Sequence, residues 1–218
     1  MVKVRWSQSG GSPIMESQLL DMRRCPHCGI AAPRVTRVWS GQGPTPRTDG
    51  GALQVWGAFA CASCGGVIVA RAAHWGTPGS TTPVDEIFPA ERTAHEDLPP
   101  VARTYLQQAY ETLHAPDAAT VMAASAVDAM LKEKGYATGS LYSRIDKALE
   151  DNVLTQGMAT WAHAVRLDAN SIRHADHERP HASIAEALQT VDFAEALGNF
   201  LYVLAAKIER GITSARNT

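Results

Sequence analysis

Four cysteines constrain this chain most. They fall in two pairs, "CPHCG" (Cys25, Cys28) and "CASCGG" (Cys61, Cys64), with 32 residues between the pairs and none left over. Two residues between thiolates let both sulfurs reach one ion from a single tight turn, and two such turns complete a tetrahedron. Gly29 and Gly65 follow the pairs and free the backbone to turn with positive φ. The other chemistries open to paired cysteines are a redox C-x-x-C and two disulfides. A redox motif needs one pair beside a βαβ pattern, and none is visible. Cys25, Cys28, Cys61 and Cys64 are therefore expected to hold one Zn2+. A closed four-thiolate set leaves no position for substrate, so the zinc is expected to be structural. His27, inside the first turn, is expected to be a solvated bystander.

The residues around the pairs read as strands. "RVTRVW" (34–39), "LQVWGAFA" (53–60) and "VIVARAA" (67–73) are rich in Val, Trp and Phe with partial alternation. The loop at 40–51 is dense in turn residues. A small β zinc ribbon of about three antiparallel strands is expected over 21–75, too small to fold without its metal. Residues 1–20, Ser/Gly-rich at the start, are expected to be flexible.

Charge is uneven. Residues 1–75 hold 8 Lys/Arg against 3 Asp/Glu, and residues 76–218 hold 12 against 19. Such asymmetry points to a two-part chain whose basic part can meet nucleic acid. Arg34, Arg37 and Arg71, with Arg47, Trp39 and Trp56, are the candidates for an aromatic, basic face binding RNA or DNA. The other reading is that the tryptophans pack the ribbon against the rest of the chain. No apolar run approaches the ~20 residues a membrane span needs, and no signal peptide is visible, so a cytoplasmic protein without membrane contact is expected.

Residues 76–97 read as a Pro/Gly/Thr-rich linker. From residue 98 to 212 the pattern turns helical, with no strand signal after residue 76. Helices are expected over 101–115, 116–135, 140–152, 155–175 and 183–212, marked by Pro near their starts, a Thr155 N-cap and a Ser183/Glu186 capping box. The fold class is α+β: a small N-terminal zinc ribbon followed by an all-α bundle of about five helices. The Leu/Phe/Tyr stripe of 193–208 is read as core, and His163 as a satisfied core histidine.

"IFP", "LPPVARTYLQQAYE", an Ala-rich helix and "VRLDANSIRH", behind a ribbon, resemble the family called domain of unknown function 4145. That family is related to the HEPN helical bundles of prokaryotic defence and toxin–antitoxin systems. Its most specific part is Arg166-x3-Asn170-x3-His174, similar to the family's Arg…Gly-Asn…Ala-His signature. Ala169 stands where that signature has Gly, and Ser125 and Asp128 stand in an element usually Arg-Ala-Leu-Glu-like. Seven residues separate Arg166 from His174, more than in catalytic HEPN ribonucleases.

The resemblance implies an HEPN-like homodimer acting in phage–host conflict, with nucleic acid or a host or phage protein as partner. It also implies a second possibility, a metal-independent ribonuclease. Arg166 would hold phosphate, and His174 would move a proton beside Asn170. A third is a pure protein adaptor or inhibitor. The same triplet can also be structural, with Arg166 paired to Asp128 and His174 at a helix C-terminus. His174, His177 and His181 admit a second metal site, against which Pro180 interrupts the helix.

Overall fold

The computed structural model describes residues 13–73, 82–165, 167 and 181–217. The chain divides into two compact units, Met1–Arg92 and Thr93–Thr218.

The first unit is a β structure. Its main sheet has the order β3 (Val35–Ser40), β4 (Gln54–Cys61), β5 (Val67–Ala73) and β7 (Glu86–Phe88), antiparallel throughout. Alternation along β4 and β5 puts Phe59, Cys61, Ile68, Ala70 and Ala72 on the buried face, joined by Val35 and Ile87. A second, smaller sheet has the order β2 (Leu19–Leu20), β1 (Ile14–Met15) and β6 (Thr82–Pro83).

The three expected ribbon strands are present, each within a residue of its expected span. Two expectations need correction. The segment 14–20 carries a short hairpin, because Met15 and Leu19 bury themselves in the ribbon core. Strands also occur after residue 76: Ile87 and Phe88 pair with Ala70 and Val69, and Val84 enters the core. A three-residue strand in a Pro-rich stretch has too little period to be seen in sequence.

The second unit is helical. Its elements are α1 (Pro100–Glu111), α2 (Pro116–Glu133), α3 (Leu141–Glu150), α4 (Gln156–Ala164) and α5 (Ile184–Gly198). A π-helical turn (Asn199–Val203) then leads into α6 (Leu204–Arg216). Alpha2 is central. It packs on α1 and α5, and Ala119, Ala123, Ala124 and Ala126 on its buried faces let its neighbours come close. Leu106, Val127, Met130, Leu131, Ile145, Phe193 and Leu197 fill the space between.

The expected starts hold. Pro opens α1 and α2, Thr155 accepts from the Met158 N–H, and Ser183 with Glu186 forms a reciprocal capping box. The expected continuous helix over 155–175 does not form, since α4 stops at Ala164 and Val165 is extended (φ −90°, ψ 160°). Val165 and Leu167 are both buried, and a residue spacing of two suits extended chain rather than helix. Among the described residues, no helix is long and apolar enough to cross a membrane.

Candidate metal centre

Both cysteine pairs sit on turns of the same construction. In the first, the Cys25 N–H donates to the Ile30 carbonyl at 3.0 Å and the Gly29 N–H donates to the Cys25 carbonyl at 2.9 Å. In the second, the Cys61 N–H donates to the Gly66 carbonyl at 3.0 Å and the Gly65 N–H donates to the Cys61 carbonyl at 2.8 Å. Gly29 (φ 72°) and Gly65 (φ 70°) occupy the left-handed position of each turn, where a Cβ is disfavoured. The second turn directly follows β4 and precedes β5, so the sheet fixes its direction.

The turns face each other. Among the described residues, the four sulfurs form the one cluster of metal-ligating groups, and all lie within 4.8 Å of one another. Cys25 Sγ and Cys64 Sγ, from opposite turns, are 3.9 Å apart, and all four cysteines are free thiols. A Zn–S bond of ~2.3 Å sets tetrahedral edges of about 3.8 Å, so the cage fits such an ion and is too open for disulfides.

Backbone N–H groups aim at the sulfurs, as a bound thiolate requires. Those of Cys28 and His27 point at Cys25, that of Ile30 at Cys28, and that of Gly66 at Cys64 (3.4 Å). Burial nonetheless pushes the Cys25 and Cys28 thiols up. At Cys61 burial also raises the thiol, but the N–H groups of Cys64 and Ser63 together with hydrogen bonds from the Cys25 and Cys64 thiols bring it below the ordinary value. A divalent cation at the centre would overcome the burial effect and hold all four as thiolates.

His27 is more than a solvated bystander. It is exposed, yet its Nε2–H donates to the Val67 carbonyl at 2.9 Å, which ties the first turn to the start of β5. Its ring also covers Gly66, where an added Cβ would lie 2.5 Å from Cδ2. Sequence reasoning missed Gly66. Its only signal was the doubled glycine of "CASCGG".

The three arginines expected on one nucleic-acid face are divided. Arg34 is exposed before β3. Arg37 pairs across from Phe59 on the core side of the sheet, with its guanidinium 5.5 Å from that ring. Arg71 lies on the other side, over Trp56 at 5.9 Å and paired with Glu86 at 2.8 Å. A bulge between Arg37 and Trp39 turns Trp39 to this second face, in register with Ala58, Val69 and Phe88. Trp39, Val67 and Phe88 are 55%, 49% and 42% exposed, and Trp56 stacks on Phe88.

In the helical unit, Arg166, Asn170, His174 and His177 lie outside the described residues. Asp128, the acid considered for Arg166, receives Lys132 at 2.6 Å and also Arg144. His181 is bonded to the Asp117 carboxylate at 2.6 Å, and the Ala182 N–H donates to the same group. His163 is exposed rather than in the core. It bonds Asp146 at 2.7 Å and stacks on Tyr142, because its helix turns that flank toward α3.

Residues 107–214 match the model of a family described as Domain of unknown function (DUF4145). The match runs from within α1 to within α6. No curated protein and no solved structure matches the chain.

Proposed function

We propose that this chain, whose helical unit matches DUF4145, is a non-catalytic binding module in which a zinc ribbon docks a protein partner. Cys25, Cys28, Cys61 and Cys64 would hold a structural Zn2+, and the ion would act only by fixing the sheet. The observation that carries the reading is the solvent-facing side of that sheet. Trp39, Val67 and Phe88 are exposed on it, and Arg71 and Glu86 neutralise each other there. A neutral aromatic face suits an apolar protein surface rather than a phosphate backbone, which needs unpaired cations. The helical unit is read as an HEPN-like bundle. If the defence context of that resemblance holds, the partner is a host or phage protein.

The test combines three measurements on the pure chain. Metal analysis is expected to give one zinc per chain. An apolar dye such as ANS is expected to bind, with emission falling in Trp39→Ser and Phe88→Ser. Labelled single-stranded RNA and DNA are expected to show no salt-sensitive binding to the zinc-loaded chain, and no cleavage in parallel reactions with and without EDTA. Binding that weakens with salt and is lost in Arg71→Ala would replace this reading with nucleic-acid recognition. Cleavage lost in Arg166→Ala and His174→Ala would replace it with a metal-independent ribonuclease.

A further inference from the structure

The last helix of the chain is built to meet something. None of the residues of α6 is buried. Leu204, Ile208 and Ile212 are 48%, 52% and 48% exposed at i, i+4, i+8. At about 100° per residue, six positions of α6 lie within ~60° of Ile208: Leu204, Ala205, Ile208, Gly211, Ile212 and Ala215. All six are apolar or glycine. Arg210, on the opposite side, makes a bidentate pair with Asp97 at 2.8 Å for both bonds. The polar back of the helix is thus anchored to its own unit and the apolar stripe points outward. The helix continues from α5 through the π-helical turn with helical backbone angles at both junctions, so the stripe is held in place on an extended rod.

We infer that α6 is a self-association surface, pairing in parallel with α6 of a second copy about a two-fold axis that runs along the helices. Charge favours this occupant and this direction. Lys207 and Glu209 sit on opposite flanks of the stripe, each one residue from Ile208. A parallel two-fold pair brings each Lys207 beside the second copy's Glu209, twice by symmetry. An antiparallel pair would set Lys207 against Lys207 and Glu209 against Glu209.

Size agrees with charge. In the parallel pair Ile208 meets Ile208 at the centre, and on either side Leu204 lies against Ala205 and Ile212 against Gly211, so the flanking large residues face small ones. The seam is about 20 Å long at 1.5 Å per residue, short beside the ~1,200–2,000 Å² interfaces of stable complexes. The dimer is therefore weak and concentration-dependent. This inference does not depend on what the ribbon binds.

Sedimentation equilibrium of the full chain, from micromolar to about millimolar, tests it. Wild type is expected to dimerise reversibly. Ile208→Glu is expected to be monomeric with unchanged far-UV circular dichroism, since Ile208 is half exposed and belongs neither to the helical core nor to the residues packed against it. Lys207→Glu and Glu209→Lys are each expected to weaken the dimer about fivefold, and the double reversal to restore it. A wild type that stays monomeric at every concentration overturns the inference, leaving a foreign partner for the stripe. A dimer that survives Ile208→Glu overturns the surface. A dimer indifferent to all three charge variants overturns the parallel pairing, because like charges already face each other in the antiparallel one.

Discussion

If the cysteine cage holds the proposed zinc, stripping the metal from the intact chain should unfold the ribbon and leave the helices standing. The ribbon core contains eight side chains larger than Ala or Cys: Met15, Leu19, Met22, Val35, Phe59, Ile68, Val84 and Ile87. Two further core members, Cys25 and Cys61, belong to the proposed metal site, so without the ion thiols would be clustered in the core with no common partner. A structural zinc site is worth about 10–16 kcal/mol of apparent binding free energy, which becomes folding free energy when no site exists in the unfolded chain. That matches or exceeds the ~5–15 kcal/mol that holds a whole domain folded. The helical unit has its own core, from Leu98 to Leu201, and contains none of the four cysteines.

Chelation after thiol displacement is the perturbation, with released zinc measured by a chromogenic indicator. Near-UV circular dichroism and emission should lose the contribution of Trp39 and Trp56, while the far-UV helical signal and the Trp161–Phe193 contact persist. Readdition of zinc should restore the ribbon. If the Trp39 and Trp56 signals are unchanged after one equivalent of metal has left, the ribbon folds on its core alone. If the helical signal falls in step with metal loss, the two units do not fold independently.

Three smaller perturbations read other parts of the molecule. Gly66→Ala pushes a Cβ to within 2.5 Å of the His27 ring and should break the bond from His27 to Val67. A loss of about 1–3 kcal/mol, as for overpacking, should appear as faster zinc transfer to a chelator, with the helical melting transition unmoved. Phe193→Ala removes a buried ring from the helical core and should cost about 3–5 kcal/mol, seen in calorimetry as a lowered helical transition with zinc content intact. Asp97 is held below the usual carboxylate range, chiefly by its hydrogen bonds from Arg210. Its contribution is therefore complete above about pH 4 and is lost as pH falls through its lowered folded value. Protection of the 204–216 amides relative to their intrinsic exchange rates should fall under those acid conditions, and Asp97→Asn should remove that pH dependence.

The parts of the fold legible in the sequence are those fixed by local chemistry. The cysteine spacing and the glycines after each pair specify two turns that can share one ion, and the sulfurs are found clustered. Strands β3, β4 and β5 are dense enough in Val, Phe and Trp to be placed within a residue. The capping residues Thr155 and Ser183 mark helix starts by a mechanism that acts within four residues. What was not legible depends on partners far along the chain. The hairpin at Ile14–Leu20 and the strand at Glu86–Phe88 are two or three residues long and exist because Met15 and Ile87 find the same core.

Periodicity also leaves open whether a stripe faces inward or outward. The run from Phe193 onward reads as one core stripe. Phe193, Leu197 and Leu201 are indeed buried. After the π-helical turn the same pattern continues through Leu204, Ile208 and Ile212 into solvent. An extra residue per turn rotates the apolar face relative to the body, which a 3.6-residue template does not anticipate. The basic residues teach a similar lesson. The surplus of Lys and Arg in the first 75 residues suggests a single positive face, but strand alternation and one bulge divide Arg37 from Arg71. Glu86, arriving on a strand the sequence does not announce, then neutralises Arg71. Net charge counts residues, whereas a nucleic-acid face requires them side by side and unpaired. For that reason the aromatic sheet face, rather than the arginine count, carries the functional reading.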